Sequence, residues 1–142
     1  MGTIELAHIG LVCGSLAETE AFYSHHFGFT RARVIDRGAQ GQIIFLKNPS
    51  GTLYLELFPA TTSSPAAIDI GDGPAWPGFK HLAFAVTDLD QVLARMGKEA
   101  HITQGPMDLG EVLQGWRTVW LRDPDGRILE LSQGYADEGN CE

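Results

Sequence analysis

A repeat about half the chain long constrains this fold more than any other feature. Leu46-Lys47-Asn48-Pro49-Ser50-Gly51 is answered by Leu121-Arg122-Asp123-Pro124-Asp125-Gly126, and Leu55-Glu56-Leu57 is answered by Leu129-Glu130-Leu131. Such a period is too long for a solenoid unit and fits two copies of one supersecondary module. With 142 residues the expectation is a single domain, 1–142, made of module one at 4–59, a linker at 60–78, module two at 79–133 and a tail at 134–142.

Local signals fill in each copy. Residues 4–13 form an apolar run that stops at Gly14-Ser15, and Ser15 with Glu18 three positions on is a helix-start signature. The helix is expected over 15–27, closed by Gly28. Strands are expected at 29–38, 41–48 and 52–59, separated by Gly- and Pro-containing turns. The second copy runs from the apolar segment Phe79 to Val86, through a helix opened by Thr87-Asp88 and reaching Met96-Gly97. Strands near 100–104, 116–122 and 127–133 complete it. Gly105 to Gly115 reads as a long connection that could cover a pocket.

The repeat places one His and one Glu in each module. His8 and Glu56 are 48 residues apart, and His81 and Glu130 are 49 apart. Alternation along a strand sends Ala7, Ile9, Leu11 and Cys13 to the helix side and Leu6, His8, Gly10 and Val12 to the opposite face. The same parity sends Leu55, Leu57, Leu82, Phe84, Leu129 and Leu131 to the helices and puts Glu56, His81 and Glu130 on the helix-free faces. A carboxylate flanked by apolar neighbours is costly to bury without a partner. One such residue alone is more often a hydrogen-bonded core or half-wet group, but four at matched positions of a repeat argue for a shared task. The expectation is that His8, Glu56, His81 and Glu130 converge on one divalent ion. Two imidazoles and two carboxylates suit Ni, Zn, Co, Mn or Fe, and are too nitrogen-rich for Ca or Mg.

Other features exclude function classes. Ten Lys plus Arg against eighteen Asp plus Glu give a net charge of -8, which repels nucleic-acid backbones and anionic membranes. No apolar run approaches a membrane span, and Met1 to Glu5 carries no signal pattern, so a soluble, cytoplasmic protein is expected. Cys13 reads as a small core residue, and Cys141 lies in the polar tail. His25, His26 and His101 are given no ligand role.

The segments His8-Ile9-Gly10-Leu11-Val12, Ala21-Phe22-Tyr23 through Phe27-Gly28-Phe29, Leu55-Glu56-Leu57, Lys80-His81-Leu82-Ala83-Phe84 and Asp123 through Leu131 together span nearly the whole chain. Their pattern resembles the vicinal oxygen chelate superfamily, which includes glyoxalase I, methylmalonyl-CoA epimerase, extradiol dioxygenases, fosfomycin-resistance enzymes and metal-free bleomycin-binding proteins. The resemblance implies an α+β fold: two βαβββ modules in tandem, forming a curved mixed sheet with helices on the outer face. It also implies a homodimer, with modules paired within one chain or across two.

The ligand order looks like the His, Glu, His, Glu version of glyoxalase I, implying a lyase or isomerase that abstracts a proton next to a carbonyl and stabilises an enediolate. By that resemblance Glu130 is the main base and Glu56 its counterpart. Alternatives are an epimerase of methylmalonyl-CoA type or of a keto-sugar, an Fe(II) extradiol dioxygenase, and a non-catalytic drug-binding protein. Two His and one Glu leave room for a bidentate substrate and O₂, whereas four protein ligands leave two positions of an octahedron, which argues against oxygen chemistry. The glutathione anchors of many bacterial glyoxalases fall here on Val12 and Ala60, so a non-glutathione substrate is expected. Parity predicts a small-molecule pocket lined by Ile43, Phe45, Tyr54, Phe58, Trp116 and Trp120, with Thr118, Tyr54 and Ser132 as hydroxyl donors. Ordinary packing competes with that reading for each aromatic. Arg31, Arg33, Lys80, Arg117 and Arg122 are candidate anion contacts, against the plainer reading of solvated surface charge.

Overall fold

The computed structural model describes residues 2–64 and 70–139. The chain divides into two compact units, Met1–Ala66 and Ala67–Glu142, each a βαβββ module. In the first, β1 (His8–Cys13), α1 (Leu16–Phe27), β2 (Thr30–Asp36), β3 (Gln42–Lys47) and β4 (Tyr54–Pro59) give a four-stranded mixed sheet in the order β1-β4-β3-β2. The second has β5 (Leu82–Ala85), α2 (Leu89–Met96), β6 (His101–Asp108), β7 (Arg117–Arg122) and β8 (Ile128–Gln133), in the equivalent order β5-β8-β7-β6. In both, the last strand returns parallel to the first, β1 beside β4 and β5 beside β8. A helix supplies the long crossover that a parallel connection needs.

The start and stop signals of α1 work as the sequence indicates. Ser15 accepts a hydrogen bond from the Glu18 backbone N–H, and Gly28 closes the helix in the left-handed region at φ 72°. Its buried residues, Thr19, Phe22, Tyr23 and His26, recur at helical spacing, and α1 packs on β4, whose Leu55 and Leu57 are at most 1% exposed. In α2, Asp88 caps the Gln91 N–H, and Leu89 and Met96 form the buried face. Leu121, Leu129 and Leu131 lie fully buried in this sheet.

The repeated turns are built by the same bonds. Asn48 accepts the N–H groups of Thr52 and Leu53 through its side chain, and Asp123 likewise accepts those of Asp125 and Arg127. The side chain bonds the main chain beyond it and so holds the turn that a Gly in positive φ completes. Those glycines are Gly51 and Gly126, at φ 73° and 84°.

Three expectations change. The apolar runs at 4–13 and 79–86 overestimate the first strands, because Ile4, Leu6 and Phe79 lie exposed ahead of them. The strand expected near 100–104 runs on to Asp108, through Gly105-Pro106, with register irregularities on both sides of Gln104. β6 is an edge strand, where a proline's missing N–H forfeits little pairing. The long connection therefore shrinks to a turn, closed by the Leu109 N–H donating to the Trp116 carbonyl at 2.8 Å. Third, residues 70–74 of the expected linker are bonded to module two. The Thr103 hydroxyl donates to the Gly71 carbonyl, and Lys80 pairs with Asp72 and bonds the Pro74 carbonyl. Cys13 is buried in the core as expected, whereas Cys141 lies outside the described residues.

Removing the cap with Ser15→Ala is expected to cost about 1 kcal/mol. Leu57→Ala, which opens a cavity under α1, should cost roughly 2–5 kcal/mol, both read from urea denaturation midpoints.

Candidate functional site

Each module holds its own histidine–glutamate pair. In module one Glu56 sits mid-strand on β4, opposite Gly10 of β1 and opposite Phe45 of β3. Gly10 places no side chain on that face, so the imidazole of His8, two residues earlier, leans across to Glu56. His8 Nε2 lies 2.8 Å from Glu56 Oε2. Module two repeats the row with Glu130 between Ala83 of β5 and Trp120 of β7. His81, immediately before β5, brings Nε2 to 3.3 Å from Glu130 Oε1. Each glutamate thus has a small residue on one side and an aromatic on the other. That aromatic meets the histidine edge-on, at 6.1 Å for His8 and Phe45 and 6.2 Å for His81 and Trp120.

These separations fit joint coordination. Two donors each about 2.1 Å from one ion lie roughly 3.0 Å apart at a right angle and roughly 3.4 Å apart at a tetrahedral angle. Within each module the described residues offer a pair, and no group of three or more His, Cys, Asp or Glu donors. The donor types and spacing of each pair fit a divalent transition metal.

The second pair is also braced. His81 Nδ1 lies 2.6 Å from the Asp72 carbonyl oxygen, which can only accept, so Nδ1 carries the proton and Nε2 of a neutral ring keeps its lone pair for a metal. This brace comes from the stretch that the sequence presents as linker. No periodicity marks it, and only the Gly-rich composition around Gly71 and Gly73 hints at a tight turn. The two pairs differ in exposure as well: the His8 side chain is 47% exposed and that of His81 19%.

The residues expected to line a pocket are spread over both modules. Phe45, Tyr54 and Phe58 share the helix-free face of module one with Glu56, and Arg37 lies 5.9 Å over the Phe58 ring. Ile43, on the same face by alternation from Phe45, is buried. In module two Trp120 is buried beside Glu130, whereas Thr118 spends its hydroxyl proton on the Leu131 carbonyl. Trp116 donates its indole N–H to the Ser132 hydroxyl at 2.9 Å, so that hydroxyl keeps its own proton to give. Two of the candidate cations, Arg31 and Arg117, are held by bidentate pairing with Glu20 and Asp90. Hydrogen bonding to Arg117, reinforced by its charge, holds the Asp90 carboxyl below its ordinary value.

Tandem βαβββ modules, each with a His–Glu pair at the same place, define the class of fold. The profile of the glyoxalase/bleomycin resistance protein/dioxygenase superfamily matches residues 5–131, and the chain belongs to that superfamily. It is 30% identical to the uncharacterized protein YwkD of Bacillus subtilis (strain 168), over 87% of this chain and 92% of that one. Among solved structures, a glyoxalase family protein from Bacillus cereus superposes with a TM-score of 0.76 at 17% identity, covering 96% of this chain and 97% of the other. The genomically encoded fosfomycin resistance protein FosX of Listeria monocytogenes gives 0.65 at 20% identity, covering 94% and 96%. Shared fold does not carry shared reaction at such identities. Members of this superfamily include enzymes and non-catalytic binding proteins. No helix among the described residues is long and apolar enough to cross a membrane.

At a pH where the ring is neutral, ¹⁵N NMR of the metal-free protein is expected to show His81 with its proton on Nδ1. Gly73→Ala should disturb that preference, since Gly73 sits at φ 118° and an added Cβ would collide with the Lys80 carbonyl, shifting the turn that presents Asp72. An unchanged His81 spectrum in the variant would show that the turn does not hold the ring.

Proposed function

We propose that this protein is a metal-dependent lyase or isomerase that removes a proton from carbon next to a carbonyl, with His8, Glu56, His81 and Glu130 together holding one divalent ion. The observation that carries the reading is the pairing of one imidazole with one carboxylate at matched positions of both modules, at 2.8 and 3.3 Å. Ni, Zn, Co, Mn and Fe(II) all accept this donor set. When bound, the ion would act as a Lewis acid and stabilise the negative charge that develops on a substrate oxygen.

The chain's own groups supply the rest. Glu130 is the base that takes the proton, and Glu56, on the equivalent strand of the other module, is its counterpart for returning it. Glu130 is 9% exposed against Trp120, and a carboxylate shielded from bulk water can hold a proton without losing it to solvent. In this reading Phe45, Tyr54 and Phe58 of module one and Trp116 and Trp120 of module two give the substrate apolar surface, and Tyr54 and Ser132 offer hydroxyls to orient its polar atoms. The preference for a substrate other than a glutathione adduct rests on Val12, an exposed apolar side chain, and on Ala60. The working form in this reading is a cytoplasmic homodimer, which light scattering tests by reading twice the chain mass.

Elemental analysis after reconstitution with Ni, Co or Zn should find one ion per four-ligand set. In D₂O, a panel of α-hydroxy carbonyl compounds and methylglyoxal, with and without thiols, should show deuterium entering at the α-carbon without oxygen uptake. Glu130→Gln is expected to slow that exchange by roughly 10²–10⁴-fold. Failure to bind any of the three metals would remove the reading, and full exchange by a metal-loaded Glu130→Gln protein would remove the base assignment. Oxygen uptake with a catechol would instead favour a dioxygenase.

A further inference from the structure

The sheet of module one carries a cleft of about 520 Å³ lined by Glu5, Leu6, His8, Arg33, Phe45 and Tyr54, among others. One wall is thus a proposed metal ligand and another a cation. Of the five candidate anion contacts, Arg31 is tied to Glu20, Arg117 to Asp90 and Lys80 to Asp72, and Arg122 is engaged as well. Among the described residues Arg33 alone of the five has no such partner.

A bulge puts Arg33 in the cleft. Strict alternation would give Arg31 and Arg33 the same face of β2, but the register shifts between them: Arg31 pairs with Leu46, Arg33 pairs with Phe45, and Ala32 is the extra residue. Arg31 consequently reaches Glu20 on α1, whereas Arg33 joins the row that runs through Phe45 and Glu56 to Gly10. With strands roughly 4.8 Å apart, the Arg33 backbone lies about 10 Å from that of Glu56. Between Arg33 and Glu56 that spacing leaves room for a short molecule.

We infer that Arg33 is the anchor for a carboxylate at the far end of the substrate, so that the protein acts on a small oxo- or hydroxy-acid bearing a second carboxylate a few carbons from its chelating oxygens. The inference rests on the proposed reading of this face as the substrate site. A guanidinium presents two parallel N–H donors to a carboxylate, which fixes orientation as well as charge. The Phe45 ring between Arg33 and Glu56 gives the intervening methylenes an apolar surface. The same arrangement disfavours an uncharged compound of equal length, which offers the guanidinium no charge to pair with.

The test compares 2-oxopentanedioate with 2-oxopentanoate, which match in carbon chain and differ in the terminal carboxylate, by calorimetry on Co(II)-loaded and on metal-free full-length protein. The wild type should bind the diacid at least about tenfold more tightly, a ratio equivalent to about 1.4 kcal/mol. Arg33→Gln should bring the ratio close to one with metal content unchanged, and Arg33→Lys should keep part of the preference, because a point charge remains without the fork. Equal binding of the two acids by the wild type, binding of neither, or a ratio that survives Arg33→Gln overturns the assignment. A diacid preference that Arg33→Gln abolishes in a protein unable to load metal supports the anchor and removes the metal reading. Equal binding by a fully metal-loaded protein does the reverse.

Discussion

The parallel pairing of the first and last strand of each module is the constraint on which the site depends. It sets Glu56 opposite Gly10 and Glu130 opposite Ala83. In both places a missing or minimal side chain opens the path by which a histidine two residues upstream meets the carboxylate. The α1 and α2 crossovers make the parallel pairing achievable, and the leucines flanking each glutamate in sequence hold the strands against them. Core packing and site geometry are therefore two faces of one strand: shifting β4 by a single residue would turn Leu55 and Leu57 outward and bury Glu56 against α1.

Two copies of this arrangement are alike in topology but unequal in surroundings. His81 is braced by the Asp72 carbonyl and largely covered, while His8 stands on the first residue of its strand with half its side chain in solvent. A cleft with an unengaged cation opens beside His8. The repeat supplies equivalent His–Glu pairs, and differences outside the matched rows give one copy the firmer histidine and the other the more accessible one.

Belonging to the superfamily narrows the chemistry without selecting it. FosX is a resistance protein, and another structural neighbour at 18% identity, TnmS3 of Streptomyces, is an antibiotic binding protein. On the open faces of this chain stand a His–Glu pair per module, an aromatic beside each pair, and Arg33.

Much of this was legible in sequence because it is local or periodic. The repeat, the Ser15 cap, the Asn48 and Asp123 turns and the inward leucines follow from two-residue and 3.6-residue periods and from side chains that bond their own backbone. The four His and Glu positions were legible for the same reason, since strand parity assigns a face without knowledge of neighbours. Parity fails where a strand breaks its period, and nothing in Thr30-Arg31-Ala32-Arg33-Val34 announces a bulge. Whether Arg31 or Arg33 faces the pocket was decided by pairing with β3, a partner outside the local sequence. The brace on His81 was likewise invisible, because a backbone carbonyl carries no residue identity and only folding brings residue 72 beside residue 81. The sequence by itself determined which residues can share a face. The tertiary structure decided which of them meet, because contact depends on register, and register is settled between strands rather than within one.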